Sequence, residues 1–237
     1  MGPTVGAMDR DRRIDLYIPD MGYGCLLMNR GEFFEDRTAA SNLAGVCGQY
    51  TGWGGVVFDY DNDGHLDVFI ANGNAHHEYS EEDVLMRNDG QGKFTDVARS
   101  AGDYFTQKYV GRGATFADFD NDGDLDILVV NLNDRARLLR NDGGNQQNWL
   151  SVAAKQHGGK IDVIGARVTV KVGSLEQVQE VVPVRGYLSQ VDPRLHFGLG
   201  DATKADQIEI RWPDGQTTVM NDVKANQFLM VEQPAKK

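Results

Sequence analysis

The sequence predicts an all-β fold: a partial β-propeller of about two full blades plus one incomplete, over residues 1–147, then a β-sandwich-like domain over residues 148–237. Three observations carry this. An acidic loop occurs twice, 59 residues apart, each time between short strand-like segments. A degenerate copy of the same unit opens the chain. From Asn148 the period stops, and segments that alternate apolar and polar residues take over.

The first loop of the matched pair is Asp59-Tyr60-Asp61-Asn62-Asp63-Gly64-His65-Leu66-Asp67, the second Asp118-Phe119-Asp120-Asn121-Asp122-Gly123-Asp124-Leu125-Asp126. Carboxylates stand at positions 1, 3, 5 and 9 and glycine at position 6. Two like charges a few ångströms apart repel by roughly 1–4 kcal/mol. A turn that gathers four must raise their pKa values, splay open or enclose a cation. Calcium fits best, because it is hard, takes six to eight oxygens and tolerates uneven geometry. The predicted ligands are Asp59, Asp61, Asp63 and Asp67 with the main-chain carbonyl of His65, and Asp118, Asp120, Asp122 and Asp126 with that of Asp124. An EF-hand is excluded, since Ile70 and Val129 stand where its closing glutamate belongs. A solvated acidic turn is the plainer alternative, because Asp, Asn and Gly favour turns anyway; the second copy favours the ion.

Residues 55–58 and 66–71 read as the strands flanking one loop, and 114–117 and 125–130 as those flanking the other. Each unit continues with a matched segment, Leu85-Met86-Arg87-Asn88 or Leu138-Leu139-Arg140-Asn141. The opening unit matches through residues 14–18, 26–31 and 33–36, and is expected to lack its first strand. Asp9, Asp11 and Asp15 align with Asp61, Asp63 and Asp67, but Ala7 replaces the first ligand and Arg12 the glycine. This degenerate loop is expected to be empty of calcium or weak. Residues 71–84 and 99–112 read as connections. The His76-His77-Glu78 run within them reads as a polar loop, with a transition-metal site as the alternative.

Composition sets limits. A chain with 41% hydrophobic residues and 6 prolines can bury a core. A net charge of -11 leaves no cationic surplus for nucleic acid. No run approaches the length of a membrane span, and Asp9-Arg10-Asp11-Arg12-Arg13 interrupts any secretory signal. Cys25 and Cys47 form no metal motif. Buried free thiols and a pair in an exported chain both remain open.

The repeated Asp-x-Asp-x-Asp-Gly-x-x-Asp loop between strands resembles the FG-GAP or VCBS-type repeat of integrin-α-like propellers. Beyond it, Asn148-Trp149-Leu150, Ile164-Gly165-Ala166-Arg167-Val168, Gly186-Tyr187-Leu188-Ser189-Gln190, His196-Phe197-Gly198-Leu199-Gly200 and Trp212-Pro213-Asp214-Gly215 resemble the ASPIC/UnbV domain. That domain follows such repeats in the cartilage acidic protein family. The resemblance implies an extracellular or periplasmic place. Three units cannot close a propeller ring, so the chain is expected to be the C-terminal part of a longer one, able to self-associate through its incomplete first blade.

No motif joins His157 or His196 to a nucleophile. The reading is therefore a calcium-stabilised extracellular binding or adhesion module for a protein or glycan ligand, without catalysis. The alternatives are part of a secreted hydrolase of polysaccharide or phosphoester with its active site in missing blades, or a carbohydrate-binding module.

Overall fold

A computed structural model describes residues 1–76 and 79–235. His77 and Glu78, and with them the candidate transition-metal cluster, lie outside the described residues. The chain is all-β, with eighteen strands in five small sheets among the described residues, the sheet number of a five-bladed propeller.

The first three sheets follow the sequence repeat. Unit one holds β1 (Thr4–Gly6), β2 (Asp15–Ile18), β3 (Cys25–Asn29) and β4 (Phe34–Asp36). Unit two holds β5 (Gly52–Phe58), β6 (Asp67–Asn72), β7 (Val84–Asn88) and β8 (Phe94–Asp96). Unit three holds β9 (Gly111–Ala117), β10 (Asp126–Asn131) and β11 (Arg137–Leu139). Every pairing is an antiparallel step between successive strands. The expectation that unit one lacks its first strand is corrected: Thr4-Val5-Gly6 supplies it, pairing with Tyr17, Leu16 and Asp15. Three residues, one of them glycine, are too few to show a period-two pattern. Unit three is the three-stranded one, because the chain leaves β11 for a short 3-10 turn at Gly144–Gln146 and enters the next module.

Alternation decides what each strand buries. Val57, Val68 and Ile70 face unit one and close a core with Tyr17, Leu26 and Met28. Val56, Phe69 and Leu85 face the other way and pack on Phe116, Ile127 and Val129 of unit three. A short helix, α1 (Leu43–Cys47), which the sequence did not suggest, caps the first of these cores. Cys25 and Cys47 are both free thiols.

The last two sheets share one core. β12 (Asn148–Lys155) lies between β15 (Leu195–Gly200) and β18 (Gln227–Glu232). The other sheet runs β14 (Leu175–Glu180), β13 (Arg167–Val172), β16 (Lys204–Arg211), β17 (Thr217–Lys224). Leu150, Val152 and Phe197 from one pack with Val168, Val170 and Ile208 from the other. The pairing of β12 with β18 is parallel, and every other strand pairing in the module is antiparallel.

This C-terminal module seats on all three units. Its segment 186–190 lies along their opening strands. Gly186 N–H donates to Pro3 O (3.2 Å), the Thr115 hydroxyl donates to Gln190 O (2.6 Å), and the Tyr187 ring meets Trp53 edge-on at 5.2 Å.

Candidate metal centres

Each acidic loop joins the first and second strands of its unit, and the three share one backbone course. Position 4 is left-handed in all, at Arg10 (φ 64°), Asn62 (58°) and Asn121 (58°), and so is position 6, at Arg12 (67°), Gly64 (85°) and Gly123 (100°). Asparagine and glycine take this region cheaply; an arginine there costs about 1–2 kcal/mol. The first loop has therefore kept its shape after losing its glycine.

A second shared feature locks position 9. The backbone N–H of Asn29, Asn88 and Asn141 donates to one oxygen of Asp15, Asp67 and Asp126 (2.9, 2.8 and 2.8 Å). The other oxygen accepts from the residue at position 2: Met8 (2.7 Å), Tyr60 (3.1 Å) and Phe119 (3.1 Å). The side chains of Asn88 and Asn141 also donate to the position-2 carbonyl of the preceding unit, at Met8 (2.8 Å) and Tyr60 (2.7 Å). The sequence flagged these asparagines only as part of a repeated segment; their fixed place after each loop was the available signal.

In the second loop, one oxygen each from Asp59, Asp61 and Asp67 come within 4.8 Å of one another. Asp59 and Asp67 are buried. Asp59 Oδ2 accepts from Gly64 N–H (2.8 Å), but Asp59 Oδ1 and Asp61 Oδ1 are buried without a hydrogen-bond partner among the described residues. Desolvation, reinforced by the neighbouring carboxylates, pushes Asp59 and Asp67 well above the usual carboxylate range and raises Asp61. Asp63 lies outside this trio. Its oxygens accept from His65 N–H and from Arg87 (both 2.9 Å), and Arg87 also pairs with Asp61 Oδ2 at 2.8 Å. The His65 side chain points away and accepts from the guanidinium of Arg10 (2.9 and 3.3 Å).

In the third loop the group is Asp118, Asp120 and Asp122, again within 4.8 Å. Asp118 accepts from Asp122 N–H and Gly123 N–H (3.1 Å each). Asp126 stays outside the trio, held at both oxygens as above. Asp124 turns its buried side chain toward Asn145 N–H (3.3 Å), leaving Oδ1 unpartnered among the described residues. Burial, then the adjacent Asp122, pushes Asp124 up to about 7.

In the first loop Asp9, Asp11 and Asp15 also come within 4.8 Å. Here the charge is met from inside: Arg30 Nη1 lies 2.5 Å from Asp9 and 3.4 Å from Asp11, and Arg13 lies 3.1 Å from Asp11. Burial pushes Asp15 up to about 6. Sequence reading found the degenerate loop but not Arg30, which lies fifteen residues past Asp15 on the far side of β3.

The position-4 side chains carry each loop to its neighbour. Arg10 reaches His65 of unit two, and Asn62 donates to Gly123 O and Gly144 O of unit three (3.0 Å each). Asn121 accepts from Arg194 of the C-terminal module (3.0 Å), which also donates to Asp118 O (3.1 Å). Asn62 makes one more contact: His196 Nε2–H donates to its Oδ1 at 2.7 Å, with the imidazole stacked on Trp149. Burial drives His196 down to about 3, so the ring is neutral. A Cβ at Gly198 would sit 2.1 Å from Asp59 Oδ2, and one at Gly123 would sit 1.9 Å from Trp149 Nε1. The loops and the C-terminal module thus share one close-packed boundary.

Residues 59–129 match the FG-GAP-like repeat family, and residues 156–237 match the ASPIC and UnbV family. The chain is similar to cartilage acidic protein 1 of Homo sapiens (31% identical over 177 residues), Mus musculus (32% over 172) and Xenopus tropicalis (30% over 198). These matches take in 70%, 68% and 76% of this chain but 25%, 25% and 28% of the relatives. The chain therefore spans about a quarter of their length.

Proposed function

From a chain in which an FG-GAP-like repeat runs into an ASPIC and UnbV domain, we propose a calcium-stabilised extracellular binding module without chemistry of its own. The first three sheets are read as consecutive propeller blades and the last two as a sandwich, since those two close on a single core. The observation that carries the calcium reading is the pair of buried, unpartnered oxygens on Asp59 and Asp61. A polar atom buried without a partner costs about 1–3 kcal/mol, more when charged. All the convergent donors are carboxylates, which suits a hard divalent cation.

Asp59, Asp61 and Asp67 would hold one ion, and Asp118, Asp120 and Asp122 another. Asp63 and Asp126 are the further carboxylates of these loops, and the carbonyls of His65 and Asp124 the main-chain contribution. A bound ion supplies the charge that lets four acidic side chains share one turn. The protein's part is to fix the turn through Asn88, Asn141 and the left-handed residues, and to seat it on the C-terminal module. Extracellular placement, where calcium is millimolar, would fill such sites even at weak affinity. The partner is a protein or glycan.

The support for a non-catalytic role is the state of His196: neutral, buried and committed to Asn62 and Trp149. Calorimetry with calcium should give two ions per chain. Thermal unfolding in chelator should lose stability relative to millimolar calcium, by about 3 kcal/mol per site at a hundredfold excess over Kd. An unchanged melting temperature overturns the proposal.

A further inference from the structure

Matched positions meet at the two junctions between successive units, and only the first junction is filled. Loop position and strand register place Met8, Leu26, Val68 and Met86 at the first, and Tyr60, Leu85, Ile127 and Leu139 at the same four positions of the second. At the first junction all four are 1% exposed or less. Two flexible methionines take up the irregular space there, and α1 closes it with Leu43 and Cys47. At the second junction Tyr60 and Leu139 are only half-buried. A hollow of about 320 Å³ opens among Phe58, Tyr60, Phe105, Ile127 and Leu139. Protein interiors rarely leave voids much larger than a water molecule.

Hydrogen bonds hold this hollow open. Tyr60 is fixed through its backbone, its N–H donating to Asp67 and its carbonyl accepting from Asn141. Asn141, itself a wall residue, is fixed in turn by its N–H on Asp126. Phe105 sits on the 3-10 turn Asp103–Thr106, which Tyr104 anchors. The Tyr104 hydroxyl donates to buried Asp83 (2.5 Å), and its ring stacks on Tyr109 at 4.8 Å. Collapse of the walls would break these contacts. Every wall residue lies between positions 58 and 143.

We propose that the hollow between units two and three is a binding site for a small, uncharged aromatic molecule. Phe58, Tyr60 and Phe105 offer rings for offset or edge-on stacking. The volume lies at the small end of ligand pockets, which suits one ring or two fused rings. The two charged residues at the hollow, Arg140 and Asp142, are exposed and pair with each other at 2.8 Å. An ionic ligand would therefore lose its hydration without gaining a free counter-charge. The site goes beyond the protein or glycan partner of the module, and it needs no ion in the acidic loops.

Indole is the probe. Saturation-transfer NMR and calorimetry on the intact chain should give a Kd of about 1 mM or tighter. Cyclohexanol has no aromatic ring to stack, and indole-3-carboxylate carries a charge to desolvate; each should bind roughly tenfold more weakly. Ala101→Trp brings a ring to the hollow from an exposed position and should weaken indole roughly tenfold with an unchanged melting temperature. Leu139→Trp fills the hollow from β11, with circular dichroism checking the fold; loss of binding in either variant supports the site. With labelled methyl groups in the protein, bound indole should show contacts to Ile127 and Leu139. No binding of indole at millimolar concentration overturns the proposal. So does a Kd unchanged in both variants, a comparator that binds as well as indole, or methyl contacts elsewhere on the chain.

Discussion

Asn62 is the residue on which the most depends. Its left-handed backbone shapes an acidic loop, its amide nitrogen ties two carbonyls of unit three, and its oxygen accepts a hydrogen bond from His196. The sequence showed an asparagine in an acidic turn, and turn preference explained it fully. Its long-range partners lie 61, 82 and 134 residues away, which no local pattern encodes. His196→Gln should cost about 1–3 kcal/mol at pH 7.5, by loosening this hydrogen bond and the stack on Trp149. The cost should shrink on acidification. The folded ring holds out to about 3 while the unfolded one protonates near 6.5, so wild-type stability falls as pH drops through that window. Denaturant midpoints at pH 7.5 and pH 5 check this; a gap that does not narrow would mean that His196 is not buried neutral.

At the scale of the element, one loop design appears with two means of balancing charge. In unit two the converging carboxylates keep two oxygens unpartnered among the described residues while Arg87 takes Asp61 Oδ2; in unit three the unpartnered oxygen is on Asp124, outside the trio; in unit one Arg30 sits among the acids. The spacing of the acids was legible because side-chain chemistry forces it. Which acids converge was not. Asp63 was expected inward beside Asp61, but Arg87 from β7 takes it, while Asp67 joins the trio. Strands were legible where β-branched and aromatic residues alternate, as in β6 and β10. β17 carries no such signal, because its eight residues are mostly exposed and include two adjacent polar positions, Asn221 and Asp222. Arg30→Met should destabilise the protein by about 1–2 kcal/mol in low salt, since Asp9 and Asp11 lose their counter-charge. Molar salt should recover much of the loss by screening. An equal loss at both ionic strengths would assign Arg30 a packing role instead.

For the whole molecule, the motifs that resembled an ASPIC/UnbV domain turn out to be largely the boundary with the repeats. Trp149 meets Gly123, Gly198 meets Asp59, Gly200 N–H donates to Asn62 O (2.9 Å), and residues 186–190 lie along the opening strands. The sequence marked them as a set; only the packing gives the reason. Gly198→Ala should cost about 1–3 kcal/mol by overpacking this boundary, and weaken calcium at one of the two sites. Calorimetry that finds both sites unaltered in that variant would show the loop to be independent of the module behind it.

The seating of segment 186–190 on Pro3 has a consequence for biosynthesis. Ribosomes deliver residues in order, at about 5–20 per second, so Pro3 emerges roughly 10–40 s before the amide that will hold it. Through that interval the first strand is held only from within the repeats, by its pairing with residues 15–17 and by Gly2 N–H on Trp53 O (2.9 Å). The final tie on unit one thus comes from the module made after it.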